Sequence, residues 1–531
     1  MPTDPAPTPL VNGTLETQTL NADEPKPEVL ETDVLVVGAG PTGLMAGLVL
    51  HRRGVDSLIV DGKHGPTRAS RALVVQARSM EIYDQLGLAE QVLTGGNAAA
   101  RLQFGPGTAP GVEFGRMQEG WTSFPGAQIF EQSRNEELLS RTLSAEGSPV
   151  HWGHRFLGFA TLGDAAPAEV RILGPEGPVR IRARWVIGAD GAGSPVRHAL
   201  GLPFEGVTDD ATFCVADLRG VSGSPANALT ARFGEQRFAI TFPMGPGGHV
   251  RAVWLHGEQE PPQEEALAGM RSDLGITYDR VDWFSAYRVH HRVATHFRRG
   301  PVLLAGDAAH VHSPVGGQGM NTGLQDAHHL AHLLADISAG HLEETALDRY
   351  ESERRSVAMT LISATDRAFG IIARPGRGTG FLRRRARDVL AVLAPRILDT
   401  DLGPYLAGLL GQYRIRYHAM PQGGPPPRWA LDRAVGLRLP PTEENRAVLR
   451  EMTWQLHTYG ADAARPTGLP DWIQGPFAFS PEARGRLRRD RLYLVRPDGV
   501  VAASWPVHAG AVAVDDVQAT LTAYGVRESR G

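Results

Sequence analysis

The sequence predicts an α/β fold. A parallel sheet covered on both faces is interleaved with a mostly β unit, and a further unit follows at the C-terminus. Three observations carry this expectation. Near the N-terminus, "DVLVVGAGPTGLMAGLVL" reads as buried strand, tight turn and helix. Far downstream, "RWVIGADGAGSPVRHALGL" and "PVLLAGDAAHVHSPVGGQGMNTGLQDA" again run from an apolar strand into a glycine-bearing acidic turn. Between these two, segments such as "RFAITFPMG" and "HVRAVWLHG" alternate as half-buried strands do.

The bulk properties set the limits. A chain of 531 residues is too long for one hydrophobic core and points to two to four domains. Hydrophobic content of 42% and charged content of 21% are those of a globular protein. A net charge of -4 gives no bias toward nucleic acid or membrane. One cysteine, Cys214, excludes an intrachain disulfide framework and a Cys-rich metal site, and it fits a reducing cytoplasm. No apolar run reaches membrane-spanning length. Residues 1–30 are rich in Pro, Thr, Asn and acids, lack the pattern of a signal peptide and are expected to be a disordered tail.

In the first motif, Gly38, Gly40 and Gly43 form G-x-G-x-x-G after the strand Val34 to Val37. Gly38 permits the turn, Gly40 admits a pyrophosphate, and Gly43 lets the helix lie close to the strand. The helix N-terminus then points its N–H groups at the phosphates. A second strand, Ser57 to Val60, ends on Asp61, where a carboxylate would take a ribose hydroxyl. FAD and NAD share this fingerprint, so it names a dinucleotide and no more.

The stretch from Leu303 to Ala327 separates the two. FAD is long and needs a second anchor distant in sequence. Asp307, at the end of the strand "PVLLAG", can accept from a ribityl hydroxyl. The loop "SPVGGQGMN" leads into a helix expected to start near Met320. Gly316, Gly317 and Gly319 let the backbone approach, and the amides around Gly319, Met320 and Asn321 would face the flavin edge that turns anionic on reduction.

These motifs, with Gly188-Ala189-Asp190-Gly191 and Arg197 between them, resemble the flavin-dependent aromatic hydroxylases of the para-hydroxybenzoate hydroxylase fold. The resemblance runs from about Thr32 to Arg354. It implies an FAD-binding Rossmann-like domain interleaved with a mostly β substrate domain. Larger members of the family add a C-terminal thioredoxin-like domain, which here has no cysteine and so no thiol redox chemistry. The resemblance also places Arg71 near the FAD phosphates and ribose, Gln132 on the cofactor and Asp190 in indirect support of the pyrophosphate. Pro314 and Val315 fall on the loop facing flavin C4a. The expected divisions are residues 31–204 (with a substrate-domain segment at about 95–125), 205–287, 288–395, a linker at 396–427, and 428–531.

The activity so implied is that of a monooxygenase. NADPH or NADH reduces FAD and leaves, O2 gives a flavin C4a-hydroperoxide, and its distal oxygen attacks an electron-rich aromatic ring. No second G-x-G-x-x-G unit is present for the nicotinamide cofactor, in keeping with transient binding. Chain length and the C-terminal unit resemble hydroxylases of polycyclic aromatic polyketides. Simple phenols, an antibiotic as substrate, and Baeyer–Villiger oxygenation remain alternatives, as does a flavin-binding protein without turnover. The protein is expected to be a monomer or homodimer.

Several residues admit a plainer role. Gln132 could only start a helix, and Asp190 could be structural. His310 reads as a packed histidine beside the motif. His328 and His332 have the i,i+4 spacing of a zinc pair, but no third ligand follows and no metal is expected. "FLRRRARDVL" reads as a solvated helix face. Phe213, Phe233, Phe242, Trp254 and Trp283 either line the substrate cavity or belong to the core. No catalytic base is identifiable.

Overall fold

The computed structural model describes residues 29–527 apart from 69–71, 107–110, 164–166, 235–236, 258–259, 313–316, 374–395, 397, 399, 401, 418–426 and 509. The tail before residue 29, Arg71, Pro314, Val315, Gly316 and the arginine run at 383–385 therefore lie outside the described residues.

One sheet carries all three motifs. Its parallel centre runs Val302–Leu304, Gly177–Gly188, Val29–Val37, Ser57–Asp61, His151–Trp152. Val37 pairs with Gly188 and with Val60, and Gly188 pairs with Leu304. Gly38, Asp190, Asp307 and Asp61 thus follow the carboxyl ends of four adjacent parallel strands, which is where open α/β sheets bind ligands. The strands are continuous apolar runs because both faces are covered. On one side lie the helices Pro41–Arg52, Gln132–Ala145 and Gly319–Ser338. The first packs so closely that a Cβ on Gly47 would meet Ile59 Cδ1 at 2.2 Å.

The second sheet runs His310–Val311, Arg280–Ala294, Phe204–Arg219, His249–Gly257, Phe238–Gly245, Ala228–Phe233, Arg101–Phe104, Gly111–Glu113. Alternation gives it two apolar faces. Cys214, Ala216, Leu218 and Trp254 pack under the helix Gln263–Leu274, against Leu267 and Met270. Phe213, Val253, Leu255 and Tyr287 form a cluster on the other face.

The C-terminal sheet runs Gln474–Phe479, Gln455–Tyr459, Arg491–Val495, Val501–Pro506, with the first pair parallel and the others antiparallel. The helix Val514–Ala523 follows. This unit does not stand apart: Trp454, Leu456, Tyr493 and Trp505 belong to the same continuous core as Val34 to Val37 and Leu330. The expected linker also differs. It holds the helix Leu402–Leu410, and beyond it Gln412 is buried and donates to Thr322 Oγ1 at 3.0 Å. Within that helix, Ala407 of the apolar run "LGPYLAGLL" packs against Val112 and Met117.

Candidate active site

The three motif turns touch one another. Gly38 has φ +106, and a Cβ there would meet Ala189 O at 2.4 Å. A Cβ on Gly43 would strike Gly38 O at 1.8 Å, so both positions require glycine. Across the turn, a Cβ on Gly306 would meet Thr42 Oγ1 at 2.5 Å. Gly40 is different: nothing lies within 4 Å of where its Cβ would be. That open space adjoins the start of the helix Pro41–Arg52. Proline begins the helix and no side chain caps it among the described residues, which leaves first-turn amides for an anion. Asp61 braces the turn by accepting from Ala39 N at 2.6 Å and Lys63 N at 2.8 Å.

Asp190 does not line the central cavity, although Ala189, Gly191 and Ala192 do. Its carboxylate accepts from Ser194 Oγ at 2.5 Å and Val196 N at 2.9 Å, which starts the short helix Pro195–Ala199. Burial nonetheless raises its pKa. Arg197, buried in that helix, donates to Ala192 O and Ala308 O at 2.8 Å each and so ties the second motif to the third.

Asp307 opens into the cavity and takes no hydrogen bond from the described residues. Its side chain is solvent-accessible within the cavity, and desolvation by the surrounding protein, with Asp326 nearby, raises its pKa. The turn carrying it is fixed from behind. Asp326 Oδ2 accepts from Gly306 N at 3.1 Å and pairs with His310 Nε2 at 2.7 Å. Tyr350 OH donates to Leu304 O at 2.7 Å.

Gly319 and Met320, at the start of the helix Gly319–Ser338, line the cavity with Gly317 and Gln318. Asn321 turns away. Its Oδ1 accepts from Gln76 N at 2.8 Å, and its Nδ2 donates to Val74 O and Gly317 O at 2.8 and 2.7 Å. The side chain therefore shapes the loop, and Asn321 itself does not line the cavity. Gln132 begins its helix and also lines the cavity, with Nε2 donating to buried Glu136 at 2.9 Å.

The cavity has a volume of about 680 Å³ and runs from these turns to the second sheet. Phe213, Phe242, Trp254 and Trp283 line it, while Phe233 does not. Phe233 ends its strand opposite Phe238, and Phe238 is the ring of that pair that reaches the wall. Ser285 and Tyr287 supply hydroxyls on the same strand face, and Arg288 is exposed.

His328 and His332 face each other, Nε2 to Nε2 at 3.2 Å, and are buried. Among the described residues no group of three potential ligands could hold a metal ion, and no helix is long and apolar enough to cross a membrane. His310 is buried in its pair with Asp326 and stacks on Phe297. The motifs gave no sign of Arg354 or Asp326 as supports, because these two lie 28 residues apart.

Comparison with known proteins agrees with this geometry. The FAD binding domain family model matches residues 31–365, and the chain belongs to that family. The 12-dehydrotetracycline 5-monooxygenase/anhydrotetracycline 6-monooxygenase of Streptomyces rimosus is 32% identical over 486 residues, covering 88% of this chain and 90% of the relative. The 6-methylpretetramide 4-monooxygenase of Streptomyces rimosus is 36% identical over 360 residues, or 65% of this chain and 63% of that relative's length. Among solved structures, OxyS anhydrotetracycline hydroxylase from Streptomyces rimosus superposes with TM-score 0.74 at 28% identity, covering 94% of this chain and all of that one. CabE, an aromatic hydroxylase from angucycline biosynthesis, gives TM-score 0.73 at 29% identity, covering 93% of this chain and 100% of its own. The chain is thus an FAD-dependent enzyme of the aromatic monooxygenase type.

Proposed function

We propose that this enzyme uses NAD(P)H and O2 to oxygenate a polycyclic phenolic substrate of the aromatic polyketide kind. The observation that carries the reading is the cavity: motif turns form one end and an aromatic sheet face the other. Its volume of about 680 Å³ has room for a flavin ring and fused rings beside it. The named activities of the relatives, on tetracycline-type rings, point the same way.

Bound FAD would supply the redox chemistry, accepting hydride and activating O2. The chain's own residues bind, orient and exclude water. The amides after Gly40 would hold the pyrophosphate, and Asp61 would take the adenosine ribose. Asp307 is the free carboxylate at the third turn and would accept from the ribityl chain. Amides of Gly319, Met320 and Asn321 would offset negative charge on the flavin edge. Gln132 would contact the cofactor directly, and Asp190 would act through the backbone it holds. Arg71 would lie by the phosphates and Pro314 by C4a. Phe213, Phe242, Val253, Leu255 and Trp283 would enclose the substrate in a largely dry wall, where the oxygenating step is protected from water.

The C-terminal unit reads as thioredoxin-like without redox function. Its strand order supports that reading, and its buried contacts give it an architectural role. No nucleic-acid or membrane partner is proposed, and the location is taken as cytoplasmic.

The test is NAD(P)H oxidation by FAD-loaded protein with O2 while naphthacene-type phenols and single-ring phenols are screened, with product mass as readout. Substrate-stimulated oxidation and a product with one added oxygen are expected. Holo-protein that neither NADH nor NADPH reduces, with any of these ligands bound, overturns the reading.

A further inference from the structure

A cluster of arginines surrounds one aromatic ring away from the cavity lining. The guanidiniums of Arg414, Arg486 and Arg484 lie 4.3, 4.9 and 5.8 Å from the Trp121 ring centroid. Tyr413 stacks with Trp121 at 6.4 Å and carries Arg438 at 5.2 Å. Two of these cations are paired: Arg438 with Glu81 at 3.1 Å and Arg486 with Glu482 at 2.5 Å. The guanidiniums of Arg414 and Arg484 pair with no carboxylate or carbonyl among the described residues, and Arg414 Nε is buried without an acceptor. Stacking on a ring fixes a guanidinium plane and leaves its in-plane N–H groups for a carboxylate or phosphate.

The cluster lies within a short chain reach of the cavity wall. Gln318, which lines it, donates to Leu410 O at 3.0 Å. Arg414 is four residues further on, at most about 14 Å of extended chain, a shorter reach than that of an extended dinucleotide. The reductant needs such a site, because the glycine turn is committed to FAD and the sequence has no second one.

We propose that Arg414 and Arg484, held around the Trp121 ring, dock the phosphorylated adenosine end of NADPH. The inference rests on the monooxygenase reading above. An arginine pair suits the 2′-phosphate, which distinguishes NADPH from NADH. A site open to solvent and built from side chains suits a cofactor that arrives, reduces and leaves.

The probe is 2′,5′-ADP, titrated into FAD-loaded enzyme by calorimetry, with 5′-AMP as control. Wild type should bind 2′,5′-ADP more tightly than 5′-AMP. Arg484→Gln and Arg414→Gln should each weaken 2′,5′-ADP at least tenfold and raise the KM for NADPH in step, with FAD content and melting temperature as in wild type. Arg141→Gln, on an exposed helix face, serves as the control and should change neither. Arg484 is exposed, so its variant tests the site even if Arg414→Gln fails to fold. No binding to wild type, or equal binding by wild type and Arg484→Gln, overturns the proposal. If 2′,5′-ADP binding is lost in the variants yet neither NADPH nor NADH reduces the wild-type flavin, the docking site stands and the monooxygenase reading falls.

Discussion

Arg354 Nε donates to Asp326 Oδ1 at 2.6 Å, and neither side chain has any solvent exposure. The other oxygen of Asp326 takes Gly306 N and His310 Nε2, so this buried pair is the rear support of the turn that presents Asp307. Burial alone would push the Asp326 carboxyl up, but the charges and donors of Arg354 and His310 hold it below the ordinary range. Removing one partner strands a charge. Arg354→Met should cost about 3–5 kcal/mol of stability, read as a lower urea midpoint at unchanged slope. The double variant Arg354→Met with Asp326→Asn should lose less than the single one. A single variant as stable as wild type would show that the pair does not carry the turn.

Asp307 and Asp190 both follow strands of the same sheet, yet their carboxylates have different duties. Asp307 spends none of its hydrogen bonds on the described protein, whereas Asp190 spends two on Ser194 and Val196. Asp307→Ala should weaken FAD by about ten- to a hundredfold, the worth of a charge-assisted hydrogen bond of about 1.5–3 kcal/mol, with little change in the melting temperature of the apoprotein. Asp190→Ala should do the reverse: a stability loss of about 1 kcal/mol, as for a lost helix cap, and a smaller loss of FAD. Cofactor retention after dilution and gel filtration, with apoprotein melts, separates the two.

What the sequence makes legible is what is local. The first turn is readable because strand, glycines, helix and Asp61 fall within 30 residues, and each has one steric reason. The turn at Asp307 is readable for the same cause. Arg354 is not, since its meaning lies in an acid 28 residues away that must be fully buried. The fused core at the C-terminus is equally hidden: Leu456 and Tyr493 read as buried strand residues, but nothing local says that they share one core with Leu330. Phe233 illustrates the limit within one hairpin. Composition leaves it as either wall or core, and the cavity wall takes Phe238 instead.

Acid should destabilise the fold before carboxylates titrate. Burial pulls His328 and His457 down to about 3 and His332 well below its usual value. The unfolded chain takes protons on these rings near pH 6.5, and the folded one does not. Stability is therefore complete above about pH 6.5 and falls steadily below it, by about 2 kcal/mol per such histidine at pH 5. Urea midpoints from pH 8 to 5 should show this slope, and His457→Gln should flatten it. Midpoints constant down to pH 5 would mean that these rings are not held neutral.

The sheet wall should decide substrate size. Phe213 pairs in register with Leu255 and with Tyr287, so the cavity face spans three adjacent strands with Val253 among these side chains. Val253 is partly buried and points its small side chain where a larger one would intrude on the cavity. Val253→Trp should keep its FAD, because the motif turns lie at the other end. It should lower kcat/KM for a naphthacene-type phenol at least tenfold more than for a single-ring phenol, since fused rings need the filled space and one ring beside the flavin does not. The measurement is NADPH oxidation matched to product formation for both substrates with wild type and variant. An equal loss for both would mean that the substrate lies elsewhere in the cavity, and the aromatic face would then be packing and not a binding wall.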